Sequence, residues 1–130
     1  MYNKIVLIGN IGQDAEVRTL PSGKKVMNFS LATSRRVKNG EGYAYEPVWH
    51  NITVFNQNII EYKAIEIKKG CQVLLEGELV YEEYLDKDNN KKQIVKIQVN
   101  IGHELKVLKK QENKEQLTQE SAIVDDDMPF

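Results

Sequence analysis

A chain of 130 residues, 41% of them hydrophobic and 28% charged, suits one compact domain with an appendage. No run of 18 apolar residues occurs, which argues against a membrane-crossing helix, and the start at Met1-Tyr2-Asn3-Lys4-Ile5 lacks signal-peptide character, so a cytoplasmic location is expected. The single cysteine, Cys71, excludes an internal disulfide, and no Cys/His cluster suggests zinc, so neither metal nor cofactor is expected.

The net charge of -1 conceals a division along the chain. Residues 1–110 carry 17 Lys and Arg against 13 Asp and Glu, a net +4. Residues 111–130 carry one Lys against six acids, a net -5. A mildly basic body with an acidic tail is the arrangement to be explained.

Ile5 to Ile8 is apolar on both parities, which predicts a strand covered on both faces, by the barrel core and by something else, hence oligomerisation. Gly9 and Gly12 bracket a bend, Val17 to Leu20 follows, and Pro21-Ser22-Gly23-Lys24 is a turn. Residues 25–36 alternate, with Met27, Phe29 and Leu31 opposite Asn28, Ser30 and Ala32. Residues 37–46 read as a flexible loop with turn chemistry at Asn39 to Gly42, and residues 48–55 as a strand. Residues 57–68 have mixed helical spacing and end in Lys68-Lys69-Gly70, the signature of a helix C-terminus. A long strand over 72–84, a turn over 86–90 and a cleanly alternating strand over 93–101 complete the body. Cys71, just before Val73-Leu74-Leu75, is expected near the core.

Three strands, one short helix and two long strands predict an all-β chain. The arrangement is that of a five-stranded OB-fold barrel, its helix between strands three and four. A small β-sandwich is the competing architecture, although it needs no such helix. The domain boundaries follow from composition: an OB-fold domain over 1–108, a polar linker expected to be disordered over 109–124, and an acidic tip over 125–130.

On the third predicted strand, Trp49, Asn51, Thr53 and Phe55 share one parity, while Val48, His50, Ile52 and Val54 share the other. If the second set fills the barrel, the first faces outward. Exposed aromatics on a sheet are stacking platforms for unpaired bases. The bland alternative is that an oligomer contact or the barrel itself buries this face. Basic residues recur on the loops and strand ends: Lys4, Arg18, Lys24, Lys25, Arg35, Arg36, Lys38, Lys68, Lys69, Lys91 and Lys92. Together with the aromatics they fit an electrostatic groove for a phosphate backbone. Neither His50 nor His103 has a catalytic partner in sequence, Gly9-Asn10-Ile11-Gly12 reads as a bend rather than a clamp, and no phosphate loop occurs, so no enzyme is expected.

The tip, Asp125-Asp126-Asp127-Met128-Pro129-Phe130, ends in an aromatic bearing the α-carboxylate. Such an end suits an apolar pocket with a basic rim on a partner protein.

These stretches resemble the bacterial-type single-stranded DNA-binding protein family. The resemblance runs through Asn3 to Asp14, Glu16-Val17-Arg18, Ser30 to Ser34, Trp49-His50, Lys69 to Val73, Glu76 to Leu79 and the tip. It implies an OB fold, a homotetramer, sequence-tolerant binding of single-stranded DNA, and a tail that recruits replication, recombination and repair proteins. By position, Trp49, Phe55 and Tyr84 fall on the family's base-stacking aromatics. Lys4, Arg18, Arg35, Arg36, Lys38, Lys68, Lys69 and Lys92 are the expected phosphate contacts. Two departures stand out. Val37 occupies a place where the family often has tryptophan, with Tyr43 and Tyr45 nearby as substitutes. Glu82 and Glu83 stand where basic residues are common, which predicts weaker binding. The linker is also short and lacks the family's Gly/Pro/Gln richness. The alternatives are an adaptor whose OB face binds protein and an OB protein that prefers RNA.

Overall fold

The computed structural model describes residues 1–110. β-Branched and aromatic residues in period-2 alternation put most of these residues into strands. The elements are β1 (Ile5–Ile11), β2 (Glu16–Thr19), β3 (Lys25–Asn39), β4 (Gly42–Val54), α1 (Gln57–Lys63), a single 3-10 turn (Ala64–Glu66), β5 (Gln72–Leu85), β6 (Lys91–Val99) and β7 (Leu105–Lys109). β1, β3, β4, β6 and β5 form a closed ring, because β1 pairs with both β3 and β5. β2 extends the sheet beside β3, and β7 pairs with β5. The five-stranded OB barrel is therefore present, with α1 between the third and fourth strands of the ring.

Met27, Leu31, Ile52, Val54, Ile67, Val73, Leu75, Val99 and Leu105 fill the barrel, and Ile59 and Ile60 of α1 plug one end. Cys71 joins this core, and burial pushes its thiol pKa up. Asn56 caps α1, its side-chain oxygen accepting from the Asn58 and Ile59 N–H groups.

β1 closes the ring by changing partners. Ile5 to Asn10 pair with β5, whereas Asn10 and Ile11 pair with β3. The crossing is tight at Gly9, where a Cβ would lie 2.3 Å from the Ala32 carbonyl oxygen, so only glycine fits. The expected bend at Gly9 is thus a partner switch inside one continuous strand.

Several expectations are corrected. Residues 37–46 are not a loop: β3 and β4 stay paired in register from Met27–Val54 out to Asn39–Gly42. Tyr, Val and Ala side chains sustain this ladder where no face is buried. α1 is shorter than 57–68, ending at Lys63 before the 3-10 turn. The outer side of β1, expected to be covered by something other than the barrel core, is left open by the described residues, with Val6 55% and Ile8 47% exposed. A further strand, β7, follows the last one expected, and in the turn that leads to it His103 Nδ1 accepts from the Asn100 N–H. Lys109, read as the start of the linker, pairs with Gln72 at the end of β7. The remainder of the linker and the tip over 125–130 lie outside the described residues.

Candidate nucleic-acid interface

The registers decide which side chains share a face. In β3 and β4, Ala32 opposes Trp49, Ser30 opposes Asn51 and Asn28 opposes Thr53. Directly opposed residues project to the same side. Thr53 is registered with Gln98 of β6, and Tyr84 of β5 opposes Lys92 of β6. Stepping by two along each strand therefore puts Trp49, Phe55 and Tyr84 all on the outside of the barrel wall made by β3, β4, β6 and the far half of β5. Trp49 is 58% exposed, Tyr84 51% and Phe55 37%. Trp49 and Phe55 are about 20 Å apart along β4, at ~3.3 Å per residue.

Trp49 is held rather than loose. A Cβ on Gly12 would lie 2.4 Å from its Cζ3 and 2.9 Å from its Cη2, so the indole lies across the Gly12 backbone. Phe55 is positioned by the β4 terminus, where its N–H donates to the Val99 carbonyl. Around Phe55 a cavity of about 340 Å³ is lined by Leu20, Lys24, Lys25, Gln57, Asn100 and Ile101. Thr53 shares this face but is buried, contrary to the outward exposure expected of it. Its hydroxyl donates to Asn28 Oδ1 at 2.9 Å.

The β3–β4 hairpin extends the same face beyond the barrel. Arg36 opposes Tyr45, and Lys38 opposes Tyr43. All four share Trp49's face, and the Arg36 guanidinium sits 4.4 Å above the Tyr43 ring. Val37 points to the other side. The two tyrosines thus supply aromatic surface on the hairpin where Val37 supplies none.

The predicted basic residues separate into groups. Arg18 on β2, Arg36 and Lys38 on the hairpin, and Lys92 opposite Tyr84 lie on the aromatic face. Arg35 has the opposite parity and pairs with Glu46 at 3.8 Å. Lys4 sits beside β1, away from the aromatics, and binds Glu76 at 2.9 Å. That hydrogen bond raises the Lys4 pKa. Lys68 and Lys69 are exposed in the segment before β5, and the Lys69 N–H donates to Asp14 Oδ1. Lys24 and Lys25 of the basic groove set lie beside Phe55, and Lys96 in the groove was not among the expected residues. Lys96 was legible in principle, as it alternates with Ile97 in β6.

The acids at 82 and 83 also separate. Glu82 shares Tyr84's face and is engaged by Lys96 at 3.0 Å, whereas Glu83 faces the other side of the β5–β6 hairpin. Only Glu82 therefore stands on Tyr84's face, and it is paired.

His50 faces the barrel side beside Leu31, half-buried, with Nε2 3.0 Å from Thr33 Oγ1. Burial lowers its pKa. Among the described residues no group of His, Cys, Asp and Glu is arranged to hold a metal ion. No helix among them is long and apolar enough to cross a membrane.

A closed OB barrel with an aromatic and basic outer wall is the class of module that the fold and this face define. The model of the single-strand binding protein family matches residues 2–120, and the chain belongs to that family. It is 39% identical over 107 residues to the single-stranded DNA-binding proteins of Neisseria meningitidis serogroup A and serogroup B. The match covers 82% of this chain and 59% of each relative, so the chain spans little more than half their length. Its fold also matches a Plasmodium falciparum SSB in complex with ssDNA, with a TM-score of 0.76 and 31% identity over 83% of this chain and 96% of that one.

Proposed function

We propose that this chain coats single-stranded DNA without a sequence requirement and without catalysis, acting in replication, recombination and repair. The observation that carries the reading is that Trp49, Phe55 and Tyr84 project from one wall of the barrel among basic side chains. Bases stack on the three aromatics, and Arg18, Arg36, Lys38 and Lys92 neutralise phosphates along the path. Tyr43 and Tyr45 extend the platform along the hairpin. Two relatives named for single-stranded DNA binding, and a structural neighbour solved with ssDNA, support the assignment. Arg35, Lys68 and Lys69 serve only as peripheral charge in this account, and Lys4 contributes nothing at the groove.

The functional unit is a homotetramer in this reading. The exposed Val6 and Ile8 on the outer side of β1 support oligomerisation, since the closed barrel leaves them without a partner in the chain. An Ile8→Asp change is expected to shift the mass read by light scattering to a smaller species. An unchanged mass would remove β1 from the interface.

The tip over 125–130 recruits partner proteins, with Phe130 as anchor and Asp125, Asp126 and Asp127 as acidic rim. The -5 tail also competes with DNA for the +4 body. Deleting residues 111–130 should tighten oligo(dT) binding at low salt, and equal affinities would refute the competition. Phe130→Ala should spare DNA binding and weaken partner binding.

A further inference from the structure

β3 and β4 stop pairing at Met27–Val54, because β4 leaves the sheet there and the Phe55 and Asn56 N–H groups donate to the Val99 carbonyl of β6. Lys25, two residues earlier on β3, is therefore left without a strand on that side. The Gln57 side chain takes the strand's place. Its Nε2 donates to the Lys25 carbonyl at 2.8 Å, and its Oε1 accepts from the Lys25 N–H at 3.0 Å. Nε2 also donates to the Phe55 carbonyl at 3.0 Å. A backbone N–H only donates and a carbonyl only accepts, so these partners fix which end of the amide is which.

The same peptide unit is held from its other edge. The Lys24 carbonyl accepts from the Leu20 N–H at 2.7 Å, across a turn in which Gly23 has a φ of +91°. The peptide joining Lys24 to Lys25 is thus bound to the end of β2 on one side and to Gln57 on the other. Alternation along β3 puts Lys24 on the side of Asn28, which opposes Thr53, and Phe55 shares the parity of Thr53. Lys24 and Phe55 line one cavity of about 340 Å³. Lys24 is exposed, and among the described residues no carboxylate pairs with it, unlike Arg18, Arg35 and Lys96. The Gln57 bonds are exposed too, and exchange with water leaves such bonds a modest net stabilisation. What they set is the place of Lys24 relative to Phe55.

We infer that Lys24 neutralises the phosphate of the nucleotide stacked on Phe55, and that Gln57 is the positioning residue that keeps the ammonium beside that ring. The ring offers a face to any base and the ammonium a charge to any phosphate, so the pair works at every sequence. Gln57 carries no charge and acts through the backbone. By tying the Phe55 carbonyl to the Lys25 peptide it fixes the spacing between stacking face and charge. A charge fixed in advance gives up less freedom when the phosphate arrives.

The inference rests on the DNA-coating reading, and the experiment separates the two. Oligo(dT) binding is titrated at several salt concentrations for the full chain, Lys24→Ala, Gln57→Ala and the double variant. Lys106→Ala is the control, a charge removed from β7, which pairs with the end of β5 away from Tyr84. Lys24→Ala should lower the slope of log K against log salt by about 0.7, the value for one single-strand phosphate, and Lys106→Ala should leave it unchanged. Gln57→Ala should weaken binding about threefold in the unaltered background and not at all beside Lys24→Ala, at the low end of coupling within one network. Gln57→Met, of similar length without the amide, repeats the cycle if the alanine variant fails to fold. An equal effect in both backgrounds, or none in either, makes Gln57 merely structural and overturns its positioning role. An unchanged slope in Lys24→Ala overturns the phosphate contact while leaving the coating function intact. An equal fall in Lys106→Ala overturns it too, because the effect is then general charge. Absence of oligo(dT) binding by the unaltered chain overturns the inference together with the coating reading.

Discussion

Replacing Gly12 with alanine should cost DNA affinity through Trp49 alone. The new Cβ would stand 2.4 Å from Trp49 Cζ3, and ordinary contact begins near 3.4 Å, so the indole must move by about 1 Å. Ser30 Oγ, 2.8 Å from the same point, must give as well. Because Trp49 is largely exposed, the ring can swing outward, and the stability cost should stay near the ~1 kcal/mol lower end for overpacking. Stacking on one aromatic is worth about 1–3 kcal/mol, so a displaced platform should lose up to that amount. The assay is an oligo(dT) titration of the unaltered chain, Gly12→Ala, Trp49→Ala and the double variant. Gly12→Ala should weaken binding severalfold and alter Trp49 emission before DNA is added. In the Trp49→Ala background it should cost little more, since the two changes act on one stacking platform. Full additivity, or unaltered binding and emission in Gly12→Ala, would refute the claim that Gly12 sets the platform.

Phe55→Ala should weaken oligo(dT) binding by about 1–3 kcal/mol with little change in thermal midpoint, and an unaffected titration would remove it from the path. Arg36→Ala with Lys38→Ala should reduce the slope of log K against log salt by about 1.4, at ~0.7 for each phosphate no longer neutralised, while an unchanged slope would place the hairpin off the DNA. Leu31→Ala, in the centre of the barrel, should destabilise the fold by about 2–5 kcal/mol in urea denaturation. His50 has a depressed pKa in the folded chain, so the unfolded chain binds its proton first as pH falls. Its contribution is full above the unfolded value and is lost as pH drops from there through the lower folded value. Denaturation of the unaltered chain and of His50→Gln between pH 7.5 and 5 should show the extra acid sensitivity only in the former.

The barrel was legible where burial imposes alternation. Met27, Phe29 and Leu31 against Asn28, Ser30 and Ala32 state both the strand and its core face, and Ile97 and Val99 against Lys96 and Gln98 do the same for β6, whereas Ile101, expected on that face, lies beyond the strand and is exposed. The hairpin over 37–46 was read as loop because neither of its faces is buried there, so no apolar period marks it. β7 escaped because it is short and only Leu105 in it is fully buried. The aromatic pair Trp49 and Phe55 was visible from parity on one strand, but the packing of Trp49 on Gly12 joins residues far apart in sequence and needs the fold. The different fates of Glu82 and Glu83 were available from parity alone, since adjacent residues of a strand cannot share a face. Which lysines stand near the aromatics was not available, because it depends on how β2, β5 and β6 are placed around the ring.

In the proposed function, unpaired bases stack on the barrel wall that carries Trp49. Trp49 is the only tryptophan, so its fluorescence reports one place on that wall. Titration with oligo(dT) at several salt concentrations should quench this emission strongly, with affinity falling as salt rises. Unquenched emission, together with no shift of the oligonucleotide in a gel, would contradict the claim.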